Sequence, residues 1–109
     1  MPVLLKDADL ERRWIAALRS GNYAQTTKTM CEEVAPSKYR YCAFGVLCIL
    51  ARIPVDEDGI SGINGRSRFD ALFINSQDEE VIFTRNDRDG WSFREIADAI
   101  ESGRGLNLP

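Results

Sequence analysis

The strongest nucleophiles in the sequence are three cysteines, Cys31, Cys42 and Cys48. Cys42 lies at the start of a predicted helix, where unpaired N–H groups and the helix dipole lower the pKa of a thiol. A thiolate there needs a base, for which Lys38 and Asp87 are candidates. The alternative is a small buried apolar residue, as free cysteines usually are. The odd count without C-x-x-C spacing predicts no disulfide framework, no zinc site and a reducing compartment.

Histidine is absent, which excludes Ser-His-Asp and Cys-His catalysis and histidine metal ligation. Two acidic segments, 56–59 and 87–90, look like cation loops, but neither has the ligand spacing and sixth-position glycine of an EF-hand. We therefore expect no enzyme, no cofactor and no metal site.

The glycine-rich segment 59–67 resembles a phosphate-binding loop, because glycine lets backbone N–H groups approach an anion. The Walker spacing is absent, and Arg66 stands where that motif has lysine. Arg66 and Arg68 have the chemistry to hold a phosphate or carboxylate in a bidentate manner. A solvated loop is the alternative.

The formal charge of −3 is unevenly distributed. Residues 1–52 carry eight Lys/Arg and five Asp/Glu, and residues 53–109 carry six and twelve. Such an asymmetry can orient a protein partner, whereas duplex DNA requires clustered positive charge, so direct DNA binding is not expected. The candidate partner-binding residues are acidic side chains of the second half: Asp56, Glu57, Asp58, Asp78 and Glu79.

The elements that must position these residues begin with a helix predicted over 9–20. Its apolar residues share one face, and Trp14 is expected in the core. Asp7 or Asp9 is the expected cap, and Gly21 stands where a left-handed residue follows a helix.

Two loosely alternating segments, 26–33 and 38–41, predict a small hairpin that turns at 35–37. The uncharged run 42–51 predicts a buried central helix. Because Gly45 costs helix propensity, we expect another backbone, from the first or last helix, to cross beside it.

Breakers predict a long irregular loop over 53–68. Two strands that pair antiparallel are predicted over 69–74 and 80–84, joined by 75–79. A capping box at residues 92 and 95 begins the last helix, and 104–109 is expected to be a flexible tail.

These elements predict one α+β domain comprising all 109 residues, 44% of them hydrophobic. No apolar run approaches the ~18 residues that cross a bilayer, and the first residues lack a basic leader. We therefore expect a protein that is neither exported nor embedded.

Three parts of the sequence resemble a pattern found in small uncharacterised proteins of phages and prophages. They are W-x-x-ALRSG-x-Y-x-Q at 14–25, YC-x-x-GVLC at 41–48, and ND at 86–87 followed by SF-x-EIAD-x-IE at 92–101. Usual relatives have a second cysteine at the position of Ala43, so no thiol pair is implied here. The resemblance brings no activity with it.

Several polar and aromatic residues at the ends of predicted elements are not easily assigned to packing and are candidates to line one ligand-binding cleft. They are Tyr23, Gln25, Tyr41, Asn86, Asp87 and Trp91.

Two functions follow as hypotheses. The first is a non-enzymatic phage accessory protein in the bacterial cytoplasm that binds and inhibits a host protein, such as a component of a CRISPR or restriction system. The alternative is a small-ligand or nucleotide-binding domain, a nucleotide sponge, that uses this cleft with Arg66 or Arg68. Catalysis dependent on Cys42 is third.

Overall fold

The computed structural model describes residues 4–27, 29–56, 59–62, 64–74 and 76–102, with only the backbone for 76–78. Its helices are α1 (Ala8–Arg19), α2 (Ala43–Ala51), α3 (Gly65–Asp70), α4 (Ser76–Asp87) and α5 (Phe93–Ser102). Its strands are β1 (Ala24–Gln25), β2 (Cys31–Ala35), β3 (Lys38–Tyr41), β4 (Val55–Asp56) and β5 (Gly59–Ile60). The predicted α+β class is confirmed.

Helix α1 has residues at both ends that the sequence predicted there, Asp7 and Gly21. The Asp7 carboxylate accepts hydrogen bonds from the N–H groups of Asp9 (2.9 Å) and Leu10 (3.1 Å), which satisfies the first turn. Gly21, with φ +77°, lies just beyond the helix. Trp14 is fully buried, and its indole N–H donates to the carbonyl of Ala43 at 2.9 Å. This bond joins α1 to the beginning of α2.

The predicted hairpin is present as antiparallel β2 and β3. Ser37, with φ +62°, lies in the turn between them. The short strand β1 pairs in parallel with the other edge of β3, which gives the order β1-β3-β2. Strand β2 is therefore an edge of this sheet.

Helix α2 is the predicted central helix, with six successive residues buried from Ala43 to Cys48. A backbone does pass beside Gly45, but the prediction of a helix there was wrong. A Cβ on Gly45 would overlap the carbonyl oxygen of Met30, in the segment before β2. That oxygen also accepts the N–H of Cys42 at 3.2 Å, so the approach fixes the entry to the helix.

The two strands predicted over 69–74 and 80–84 were wrong. Phe69 and Asp70 end α3, residues 71–74 follow it as a turn with an isolated bridge at Phe73, and 80–84 lies within α4. In α4, Ile82 and Asn86 are buried four residues apart, while Phe83 is 52% exposed. Burial therefore follows the helical period. The β-branched and aromatic residues favour a strand locally, but tertiary packing overrides such weak preferences.

The predicted loop 53–68 is also more regular than expected. It contains the two-stranded ribbon β4–β5 and the beginning of α3. The predicted connection 75–79 lies within α4 from residue 76 onward. The tail predicted at 104–109 lies outside the described residues.

The core joins α1, α2, α4 and α5 through their apolar faces. Helix α5 packs on α1 and α4, and α2 packs on α1 and α4. Phe44 of α2 contacts the rings of Phe69 and Phe73 edge to face, at 5.3 and 5.8 Å between centroids. At the N-terminus of α5, Ser92 and Glu95 form the predicted capping box, with bonds of 3.0 and 3.1 Å.

The N-terminal segment before α1 was not predicted to belong to the core. Leu4 and Leu5 are fully buried, and their N–H groups donate to the buried carboxylate of Glu11 at 2.7 and 2.9 Å. Leu5 also forms an isolated antiparallel bridge with Phe73. The two hydrogen bonds from backbone N–H groups compensate for the free energy that desolvation of the carboxylate costs.

Candidate functional site

Most residues of the predicted cleft come together around Asn86, which is 2% exposed. Its Oδ1 accepts from Gln25 Nε2 (3.0 Å) and from the N–H of Ala43 (3.3 Å). Its Nδ2 donates to the carbonyl of Thr26 (3.1 Å) and to Asp87 Oδ1 (2.6 Å). We call these residues the amide network. It joins β1, the beginning of α2 and the end of α4.

Gln25 extends the amide network to the beginning of α5. Its Nε2 also donates to the carbonyl of Trp91 at 2.7 Å, and its Oε1 accepts from the N–H of Phe93 at 3.0 Å. The Trp91 ring lies against the guanidinium of Arg85, 5.0 Å from the ring centre. The polar atoms of this region therefore bond to one another and connect elements of the fold.

The two arginines considered for phosphate binding contact the chain itself. Arg66 forms ion pairs with Asp70 (3.2 Å) and Glu79 (2.6 Å). Arg68 donates to the carbonyl of Arg52 at 3.3 Å. These bonds connect α3 to α4 and to the end of α2, and none of them reaches the amide network.

The acidic partner-binding candidates do not form one described cluster. Glu79 is paired with Arg66, as given above, and Asp56 lies on β4. Glu57 and Asp58 lie outside the described residues, and the side chain of Asp78 is not described.

The cysteines lie in environments that disfavour the thiolate. Cys42 is 5% exposed, and its Sγ accepts the N–H of Gly45 at 3.4 Å as the cap of α2. Burial raises the pKa of Cys42 to about 11 and that of Cys48 to about 12. The predicted lowering was wrong because desolvation outweighs the N–H groups at the helix terminus. In the described part of the chain, no three Cys, Asp or Glu residues are grouped to hold a metal ion.

A different set of side chains lines an open groove of about 370 Å³ between the β2–β3 hairpin and the segment from the end of α2 to β4. The lining residues are Cys31, Glu33, Tyr39, Tyr41, Ile49, Val55 and Asp56. We call this the tyrosine groove.

Strand register places the hairpin part of this lining on one face. Cys31 pairs with Tyr41, and Glu33 pairs with Tyr39. Because side chains alternate along a strand, all four lie on the same side of the hairpin. The adjacent pair, Glu32 with Arg40, lies on the opposite side, as does Lys38.

The tyrosine groove has a buried floor and an exposed aromatic wall. Cys31 is 6% exposed, whereas Tyr39 is 44% and Ile49 is 36% exposed. The rings of Tyr39 and Tyr41 lie 6.4 Å apart, and Tyr23 packs edge to face on Tyr41 at 5.8 Å. Burial raises the pKa of Tyr41 above its ordinary value, so its phenol keeps its proton near neutral pH.

Sequence reasoning did not identify this groove. Tyr41 and Asp56 were singled out for other reasons, while Glu33, Tyr39 and Ile49 were not. A signal was present in the two tyrosines two residues apart on a predicted strand, because such a spacing places both rings on one face. The approach of α2 and β4 that closes the groove has no local signature.

The fold and the groove define a small α+β domain with an aromatic-lined surface groove. Residues 6–61 match the family model of a domain of unknown function (DUF8296), and the chain belongs to this family. The seven described residues that line the tyrosine groove lie within the matched segment, whereas Asn86, Asp87 and Trp91 lie beyond it.

Further comparisons add no relative. No curated protein and no solved structure matches the chain. Among the described helices, none has both the length and the apolar character needed to cross a bilayer.

Proposed function

We propose that this protein acts by binding another protein through the tyrosine groove, without catalysing a reaction. The observation that carries the proposal is the exposure of Tyr39 and Ile49 beside the partly buried Tyr41 in one groove. In keeping with the resemblance to small phage proteins, the proposed partner is a bacterial host protein. Components of CRISPR or restriction systems are the first class to test.

The groove has the composition of a protein interface. Tyrosine is enriched in interface cores because it contributes a large contact area together with a polar group. Exposed apolar and aromatic residues grouped in one place are typical of binding sites, whereas single ones are not.

The nucleotide-binding alternative receives less support from the geometry. The polar atoms of the amide network are bonded within the chain. Arg66 and Arg68 also form their bonds within the chain, with Glu79 and with the carbonyl of Arg52. A nucleotide at 100 times its dissociation constant would raise the stability by about 2.7 kcal/mol. A thermal-shift screen of nucleotides therefore distinguishes the two functions.

The proposal predicts that Tyr39→Ala weakens partner binding at least about tenfold, as loss of an aromatic anchor does. Phe83→Ala is the matched control, since Phe83 is a similarly exposed aromatic residue on α4, outside the groove. Tagged wild-type and variant proteins are used to capture partners from bacterial lysate. The captured protein is then purified and titrated by calorimetry.

Binding of a purified partner that is lost in Tyr39→Ala and retained in Phe83→Ala supports the proposal. Equal binding by all three proteins would place the interface elsewhere. Circular dichroism of each variant verifies that the fold is unchanged.

A further inference from the structure

The size of the tyrosine groove restricts what enters it. Its volume of about 370 Å³ is at the lower end of the roughly 300–1,000 Å³ of ligand pockets, and its walls are short: the hairpin strands, the end of α2 and the two-residue strand β4. A long side chain projecting from an extended segment fits such a space better than a helix does.

The charges of the groove favour a cation. Its lining includes the carboxylates Glu33 and Asp56 and, among the described residues, no lysine or arginine. The cations of β3, Lys38 and Arg40, lie on the opposite face of the hairpin. Both carboxylates also interact within the chain, and an ionised carboxylate accepts about four hydrogen bonds. A ligand cation therefore adds to those contacts and need not replace them.

The described part of the chain twice combines an arginine, an aromatic ring and a carboxylate. Arg85 lies 5.0 Å from the ring centre of Trp91 and bonds to Asp89 at 2.7 Å. Arg66 lies 5.5 Å from the ring centre of Phe69 and, as noted above, pairs with carboxylates of α3 and α4. The tyrosine groove combines two of the same kinds of group, an exposed aromatic ring and carboxylates.

We propose that the tyrosine groove binds an arginine side chain of an extended partner segment, with the guanidinium against the Tyr39 ring and between the carboxylates of Glu33 and Asp56. Arginine suits this site better than lysine because its planar group both stacks on rings and binds carboxylates in a bidentate manner. This inference rests on the proposed function and specifies the chemistry of the partner.

The probe is a short glycine-serine peptide, blocked at both ends, with one central arginine. Its matched control contains citrulline, which has nearly the same shape as arginine but no charge. Both are titrated into labelled full-length protein up to about 1 mM and followed by NMR. We expect the arginine peptide to shift groove resonances and to bind at least about tenfold more tightly than the citrulline peptide.

Variants of the groove carboxylates test whether peptide binding depends on the charge of the groove or on its shape. Glu33→Gln and Asp56→Asn are expected to weaken the arginine peptide several-fold and to leave the citrulline peptide unchanged. Glu32→Gln, on the opposite face of the hairpin, is the control and is expected to leave both unchanged. Equal binding of the two peptides, shifts located outside the groove, or no binding by the arginine peptide would each overturn the inference.

These outcomes are distinct from failure of the proposed function. A captured partner that requires Tyr39 but whose bound segment has no arginine upholds the protein-binding function and rejects the arginine site. Conversely, if the Tyr39→Ala protein still binds its partner normally, the general proposal fails whatever the peptides do.

Discussion

At the residue scale, Asn86 is the polar side chain on which most of the described contacts around the amide network depend. It uses both acceptor positions of its oxygen and both donor positions of its nitrogen within the fold. One of its partners is the N–H of Ala43, which has no partner within α2 because it lies in the first turn. Asn86 thus stabilises the beginning of the central helix from a distant part of the sequence.

Replacement of Asn86 by leucine, which is similar in size, is expected to reduce the free energy of unfolding by about 3 kcal/mol. The reason is that buried donors and acceptors left without partners cost about 1–3 kcal/mol each. Urea denaturation followed by circular dichroism measures the change. Asn22→Leu, at an exposed position, is the control and should alter stability by less than about 0.5 kcal/mol. A loss below about 1 kcal/mol in N86L would show that the network contributes little.

At the element scale, the prediction for α2 was correct that a backbone lies close to Gly45 and wrong about the element to which that backbone belongs. A glycine in an apolar helix predicts a close neighbour, and one is present. The neighbour is the carbonyl of Met30, before β2, where a helix was expected. Since Met30 and Gly45 are joined only through the hairpin, the identity of the neighbour depends on how that hairpin folds back.

Gly45→Ala is expected to destabilise the protein by about 2 kcal/mol, because a methyl group at this position forces the Met30 backbone or α2 to move. The sign of this change in stability is informative, since helix propensity alone predicts that alanine stabilises the protein by about 1 kcal/mol. Thermal and urea unfolding provide the measurement. Ala16→Gly, at an exposed position of α1, reports the propensity effect alone. Stabilisation by G45A would contradict the close contact.

The wrongly predicted strands show the limit of local patterns. The segment 80–84 contains valine, isoleucine, phenylalanine and threonine in succession, which favours a strand. Only the three-dimensional packing reveals that Ile82 and Asn86, one helical turn apart, are the buried positions. Short apolar runs are compatible with either structure, so burial by neighbouring elements decides between them.

At the scale of the whole molecule, an ion-pair cluster joins the first helix, α1, to the last, α5. Arg19, at the end of α1, bonds to Glu101 at 3.0 Å and also to Asp98, both on α5. The Arg19 hydrogen bond, more than its charge, holds the pKa of Glu101 below its ordinary value. The same contacts raise the pKa of Arg19, which stays protonated.

This cluster predicts a specific dependence of stability on pH. Because the pKa of Glu101 is lower in the folded protein, its stabilising effect is complete above the ordinary glutamate pKa of about 4.3. The effect is lost as pH falls through the lower folded-state value. Glu101→Gln should therefore lower the melting temperature slightly at pH 7 and have no effect at the acid end.

The measurement is thermal unfolding of both proteins across that pH range. Glu80→Gln, at another exposed glutamate, serves as the control for loss of a carboxylate. A difference between wild type and E101Q that persists unchanged into acid would contradict the assignment, and added salt should reduce the difference at pH 7.

Several features were determined by sequence alone, because each depends on residues within one or two turns of each other. These are the cap at Asp7, the stop at Gly21, the capping box before α5, the hairpin and the uncharged central helix. The α+β class followed from them.

The tertiary structure alone decided that 69–74 ends a helix and forms a turn, that 80–84 is helical, which group lies beside Gly45, and where the candidate groove lies. The polar residues 25 and 86 were expected to face a ligand, and they instead bond to each other across 61 positions of sequence. Residues of the groove come from β2, β3, α2 and β4, none of which has a local signal for the others. Contacts between distant segments depend on the packing of the whole chain, and periodicity within a short window does not contain that information.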